Sequence, residues 1–109
     1  MVSEPGDVVV VPFPFTEKAG QKRRPALVLS RRAFNSRGHS LLAMITTRAH
    51  HSWPGDVEIG DRKSAGLPVP CIVRLKLFTL DNRLILRRLG TLAPADRQRV
   101  SDHLKAVIL

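Results

Sequence analysis

Four consecutive valines, Val8 to Val11, preceded by Asp7 and closed by Pro12-Phe13-Pro14-Phe15, constrain this chain more than any other stretch. β-Branched side chains are stiff at χ1 and favour extended backbone, so the unbroken run predicts a buried strand. Proline has no N–H for a ladder, so that strand should leave its sheet at Pro12 or Pro14. A second join of the same kind follows, where Gln21-Lys22-Arg23-Arg24 runs into Pro25 and then Ala26 to Ser30. Thr16 to Arg23 holds Gly20 among polar and charged residues and reads as a flexible loop carrying Lys22 and Arg23. Arg24 then sits where the chain joins a second strand, Ala26 to Ser30.

The remaining chain alternates short apolar runs with turn signals. Arg31 to Asn35 suits one helical turn before Gly38, and Leu41 to Thr46 predicts a third, buried strand with Thr46 and Thr47 at its end. Arg48 to Pro54 is polar, contains His50, His51 and the only tryptophan, Trp53, and reads as a long exposed loop. Asp56-Val57-Glu58-Ile59 alternates as a half-buried strand does, and Gly60 to Pro70 is a second connector of the kind on which function often resides. Cys71 to Phe78 predicts a strand with Arg74 and Lys76 on one face. Asp81-Asn82-Arg83 is a turn, and Leu84 to Leu89 a further strand ended by Gly90. Pro94 fits a first helical position and Asp96 a first turn, with Ala93 as the cap at a cost of about 1 kcal/mol against Ser. Val100, Leu104, Val107 and Ile108 recur at helical spacing, so the helix should lay that stripe on the sheet. Five or six short strands and one terminal helix predict a small, mostly antiparallel barrel or curled sheet, and residues 1–109 suit one domain.

Charge narrows the partners. Against 9 Asp+Glu stand 18 Lys+Arg, a net charge of +9, and 13 of the cations are Arg, whose planar fork matches phosphate. Nucleic acid is the first partner this implies. An anionic membrane surface competes, but it calls for a basic amphipathic helix, and the terminal helical segment is short and charge-mixed. The single Cys71 excludes an internal disulfide and reads as a small buried hydrophobe, while His39, His50, His51 and His103 match no metal-ligand spacing, so no cofactor is expected. No run approaches the roughly 20 apolar residues of a membrane span, and Met1 to Pro5 lacks the features of a signal peptide, which leads to the expectation of a cytoplasmic protein.

What remains for chemistry is a set of cations and hydroxyls at strand ends: Arg24, Thr46, Thr47 and Arg74, with Lys22, Arg23, Lys76, His50 and His51 near one or another. RNA can be cut without a metal, because the ribose 2′-hydroxyl attacks the adjacent phosphorus. The protein must align that attack, stabilise charge on the phosphoryl oxygens and handle two protons. Guanidinium and hydroxyl groups supply the stabilisation. Proton transfer is harder for arginine, whose pKa lies above about 12, whereas histidine titrates near 6.5. Each candidate has a plainer reading: His50 and His51 as a solvated loop tip, Arg74 as an exposed cation paired with Asp81 or Glu58, Trp53 as a ring folded onto the barrel. The residues alone describe a basic β-barrel that binds nucleic acid.

The succession of motifs says more. Gly6 to Phe15, Arg24-Pro25-Ala26-Leu27-Val28-Leu29, Ala43-Met44-Ile45-Thr46, Val73-Arg74, Thr79-Leu80-Asp81 and Leu89-Gly90 together resemble the MazF/PemK family of toxin endoribonucleases. The resemblance implies a mainly β fold, a small SH3-like barrel of five to seven strands with a C-terminal helix. It also implies a homodimer that cuts single-stranded RNA at short motifs without metal, leaving 2′,3′-cyclic phosphate and 5′-hydroxyl ends. Arg24 would be the principal catalytic cation and proposed general acid, Thr46 would contact the scissile phosphate, and Arg74 would support the charge. RNA contacts are expected from Lys22, Arg23, Thr47, Arg48, Trp53 and Lys76. Some members pair the arginine at position 74 with an acid two places on; here that place holds Lys76, so the pair does not carry over. No histidine lies between Thr16 and Arg23 as it does in some members. The implied partner is an antitoxin with an acidic, partly disordered tail, which a chain of +9 would attract by the same field that attracts RNA. The alternative is a non-enzymatic module on the same barrel, either an RNA binder that no longer cuts or a topoisomerase-binding toxin. Toxins of the second kind carry a C-terminal tryptophan, where this chain ends Ala106-Val107-Ile108-Leu109.

Overall fold

The valine run becomes the first strand of a curled antiparallel sheet. In a computed structural model, residues 1–13, 22–47 and 53–108 are described. They form β1 (Asp7–Phe13), β2 (Lys22–Val28), a short helix α1 (Arg32–Asn35), β3 (His39–Thr47), β4 (Val57–Glu58) and β5 (Cys71–Asp81). A 3₁₀ turn (Asn82–Leu84), β6 (Arg87–Thr91) and the helix α2 (Pro94–Ile108) complete the chain. All pairings are antiparallel in the order β4-β5-β3-β2-β1-β6.

Both faces of this sheet are covered, which explains why Val8 to Val11 do not alternate with polar residues. Val8, Leu27, Ala43, Ile45 and Val73 pack together on one face with Leu92 and Val100, beneath α2. Val9, Val11, Ala26, Val28 and Leu42 pack on the other with Leu80 and Ile85. Cys71 is buried in the first cluster, as expected of a small apolar residue.

The curl is closed by the connector after β4. Thr91 N donates to Ser64 O at 2.9 Å and Ser64 Oγ donates to Thr91 O at 2.7 Å, so the segment following one outer strand is stitched to the other outer strand. Contact here is too close for side chains: a Cβ on Gly66 would strike the Leu89 carbonyl, and one on Gly90 the Ser64 carbonyl. Asp96 ties the same connector to α2, accepting the amides of Gly60 and Asp61 at 2.9 Å each and pairing with Arg99. Burial pushes the Asp96 carboxyl up, but the two amides and Arg99 outweigh it and hold the pKa below the usual carboxylate range.

Three expectations need correcting. β2 begins at Lys22 and ends at Val28, so Lys22 and Arg23 lie in the strand opposite Phe13 and Pro12, not in a loop. The strand expected over Leu84 to Leu89 instead runs Arg87–Thr91, after a 3₁₀ turn that takes in Leu84, so Gly90 lies within it, opposite Val8. Of the α2 stripe only Val100 and Leu104 reach the core, while Val107 and Ile108 are exposed. No helix of the described residues is long and apolar enough to cross a membrane.

Candidate nucleic-acid interface

The two central strands come apart where the arginine and the threonine stand. β2 pairs with β1 all along Lys22 to Leu27, but with β3 only through Ala26, Leu27 and Val28, opposite Met44, Ala43 and Leu42. Beyond that point Ile45, Thr46 and Thr47 pair on their other side with Val73, Ile72 and Cys71 of β5. Pro25 accounts for the parting. Gly6 N donates to Val28 O on the β1 side and Leu29 N to Leu41 O on the β3 side, so by alternation Leu27 and Pro25 turn their backbone polar atoms toward β3. Proline has no hydrogen there, and the ladder stops.

Carrying the register two residues past Ala26 and Met44 sets Arg24 opposite Thr46 across this opening. The period of two puts both on the face that also bears Met44 and its β5 partner Arg74. Arg24 is exposed and Thr46 half-buried. On the outer side, Arg23, Arg24, Lys63 and Arg87 gather around a groove of about 650 Å³ floored by Pro25 and Leu67. Lys63 and Arg87 escaped the sequence reading; the only hint was that Lys63 lies in a connector already suspected of function.

Arg74 differs from its expected form. It is buried, 8% exposed, and donates two parallel hydrogen bonds to Asp56, Nε to Oδ1 at 3.1 Å and Nη2 to Oδ2 at 2.9 Å. That bidentate pairing holds the Arg74 pKa above its ordinary value, against the pull of burial. Arg74 is therefore a positive charge held in one place by Asp56. Asp81, one of the partners suggested by the sequence, is paired with Arg83 at 2.8 Å. Beside Arg74, the β3–β5 register jumps from Ala43↔Leu77 to Met44↔Arg74, so Leu75 and Lys76 form a two-residue bulge. Lys76 Nζ lies 4.6 Å from the centre of the Trp53 ring.

Lys22 is exposed in β2, and Thr47 is exposed at the end of β3. Arg48, His50 and His51 lie outside the described residues. Among the described residues no group of three or more His, Cys, Asp or Glu is placed to hold a metal ion. What the arrangement offers an anion is therefore guanidinium, ammonium and hydroxyl groups.

The profile of the PemK-like, MazF-like toxins of type II toxin-antitoxin systems matches residues 4–108. The chain belongs to the MazF/PemK family. A search of curated proteins gives no significant match. Among solved structures, a chain of the MazE-MazF complex (form III) from Deinococcus radiodurans superposes with a TM-score of 0.79 at 26% identity, over 99% of this chain and 97% of that one. The same organism's MazF (form I) gives 0.76 at 28% identity, over 99% and 97%. An endoribonuclease in complex with its cognate antitoxin from a mycobacterial species gives 0.76 at 19% identity, over 98% and 93%, a likeness of fold. Within a MazF/PemK fold, this chain meets its buried arginine with a carboxylate from the segment before β4, and sets lysine at the place two residues on.

Proposed function

We propose that this toxin cuts single-stranded RNA at short motifs by attack of the ribose 2′-hydroxyl. The observation that carries the reading is that the β2–β3 ladder ends at Ala26 and Met44, one strand period short of a solvent-exposed Arg24 and a half-buried Thr46, in a MazF/PemK chain of net charge +9. In the reaction the 2′-oxygen bonds to phosphorus as the P–O5′ bond breaks, giving a 2′,3′-cyclic phosphate and a 5′-hydroxyl. One proton leaves the 2′-oxygen and one reaches the 5′-oxygen.

Arg24 stabilises the pentacoordinate phosphate and is the candidate donor to the leaving oxygen, while Thr46 hydrogen-bonds a phosphoryl oxygen. Arg74, already neutralised in part by Asp56, supplies a fixed charge behind them. Arg23, Lys63 and Arg87 guide the RNA backbone along the outer groove. The nucleophile belongs to the substrate, so the scheme calls for no metal. The unit acts as one domain and as a homodimer, and its partner is an acidic antitoxin segment drawn to the same cations; relatives crystallised with MazE or with a cognate antitoxin support that partner.

The deciding experiment incubates the purified protein and an Arg24→Ala variant with single-stranded RNA in excess chelator, and maps the ends produced. Cutting by the wild type alone, with cyclic-phosphate ends, is expected. Equal cutting by both removes Arg24 from the mechanism, and binding without cutting by the wild type favours a non-enzymatic RNA binder.

A further inference from the structure

Asp56 holds two groups at once. Besides its two bonds to Arg74, its Oδ2 accepts the Trp53 amide at 3.0 Å, and its own amide donates to the Trp53 carbonyl at 3.0 Å. Residues 53–56 are thereby closed into a turn. Gly55, at φ +83°, lets that turn lie flat on β5, since a Cβ there would fall 2.9 Å from Leu75 Cδ1. Lys76 completes the contact by placing its ammonium over the Trp53 ring. Three consecutive residues of β5, namely Arg74, Leu75 and Lys76, thus take hold of Asp56, Gly55 and Trp53 in reverse order. The bulge makes this possible, because Leu75 and Lys76 have no opposite number on β3.

Two of the held groups stay open to solvent. The Trp53 ring, though partly packed, remains 38% exposed, and Lys76 beside it is exposed. They describe a unit for a single-stranded nucleotide, with the ring face that Lys76 leaves open for an unstacked base and the exposed Lys76 ammonium for the phosphate, while Arg74, buried against Asp56, belongs to the frame behind them. Holding the ring in place before the RNA arrives removes part of the ordering cost of binding.

We propose that Asp56 is a positioning residue that sets Arg74 and the Trp53 ring in one preformed unit, so that a base flanking the cut is read by Trp53. The proposal rests on the RNA-cutting reading above. Trp53 is the only tryptophan in the chain, so its fluorescence reports on this unit alone.

The test compares wild type with Asp56→Ala, Asp56→Asn, Asp56→Glu and Trp53→Ala. The measurements are melting temperature, acrylamide quenching of Trp53, binding of single-stranded RNA carrying a 2′-deoxy sugar at the mapped cut, and kcat and KM on RNAs that differ at the flanking base. In Asp56→Ala the ring becomes more quenchable, RNA no longer alters its emission, affinity falls about tenfold and kcat falls about 100-fold. Trp53→Ala loses the base preference while keeping more of kcat. Asp56→Glu regains part of both activities. Should Asp56→Ala fail to fold, Asp56→Asn answers instead: it still accepts the Trp53 amide, so Trp53 keeps its emission while kcat falls. A lower melting temperature with kcat, KM and base preference unchanged overturns the proposal, since a purely structural residue behaves that way. Asp56→Asn losing the acidic limb of the pH profile also overturns it, making Asp56 the base. Wild type that cuts beside Asp56 variants that cut equally well sinks only this proposal. Wild type that neither cuts nor binds RNA sinks the reading of function with it.

Discussion

Arg24 and Thr46 each lie two residues past the last pair of the β2–β3 ladder, Ala26 and Met44. An exposed guanidinium so placed carries little of the core, so Arg24→Ala should melt within about 0.5 kcal/mol of wild type while cutting RNA about 100- to 1000-fold more slowly. Thr46→Val, which keeps the shape and removes the hydroxyl, should lose about tenfold. Single-turnover cleavage at saturating protein, run beside thermal melts, separates these from loss of fold.

The parting itself is set by Pro25. Alanine there gains an N–H directed at β3 and should extend the β2–β3 ladder toward Ile45, worth about 1 kcal/mol, nearly cancelled by the greater freedom of the unfolded chain. Stability should therefore stay within about 1 kcal/mol of wild type. Cleavage falls because the opening narrows. A protected new amide at position 25 in hydrogen exchange, with reduced cutting, is the expected pair of results.

The outer groove predicts a different signature. Lys63→Ala and Arg87→Ala should weaken binding equally for all RNA sequences, and each should lower the slope of log affinity against log salt by about 0.7. Titrations at several salt concentrations on two unrelated RNAs check this; a change in base preference would place these cations at the base-reading end instead.

Asp96 is almost fully buried and satisfies two backbone amides of the closing connector. Asp96→Ala leaves those amides without their acceptor and should cost about 2 kcal/mol, read as a lower denaturant midpoint at unchanged slope.

Asp81 offers a test by pH. Its side-chain hydrogen bond from Arg83, aided by the Arg83 amide, lowers its pKa to about 2. The folded pKa lies below the unfolded value of about 3.9, so the stability this carboxylate adds is present above pH 4 or so and disappears as pH falls toward 2. Arg83 is itself largely exposed, so salt should weaken the effect. Carbon-detected NMR should show the Asp81 pKa rising toward the ordinary range in Arg83→Ala, only part of the way because the amide of residue 83 still donates.

The strands of this fold were readable because their signals are local. Val8 to Val11, Leu41 to Thr46 and Cys71 to Phe78 each lie in an observed strand, and Pro94 begins the terminal helix. Charge at Lys22 and Arg23 points to a loop, but the first half of β2, Lys22 to Pro25, pairs with β1 alone, and a stretch with one open edge tolerates exposed cations and a proline. The motif around Arg24 and Thr46 was visible in sequence; their register was not, since it is fixed by long-range pairing. Asp56 was beyond reach for the same reason. It lies 18 residues from Arg74, and nothing local distinguishes it from Asp81 or Glu58.

The extra length at Leu75 and Lys76 has one further consequence. β5 carries two residues more than β3 requires, and an even surplus leaves every later side chain on the face it would have occupied without it. Removing both should shorten the chain without turning Leu77 to Asp81 over, whereas removing one would exchange inside for outside along that half of the strand. The bulge that holds the Trp53 turn could thus be lost as a pair while the strand behind it keeps its inside and outside.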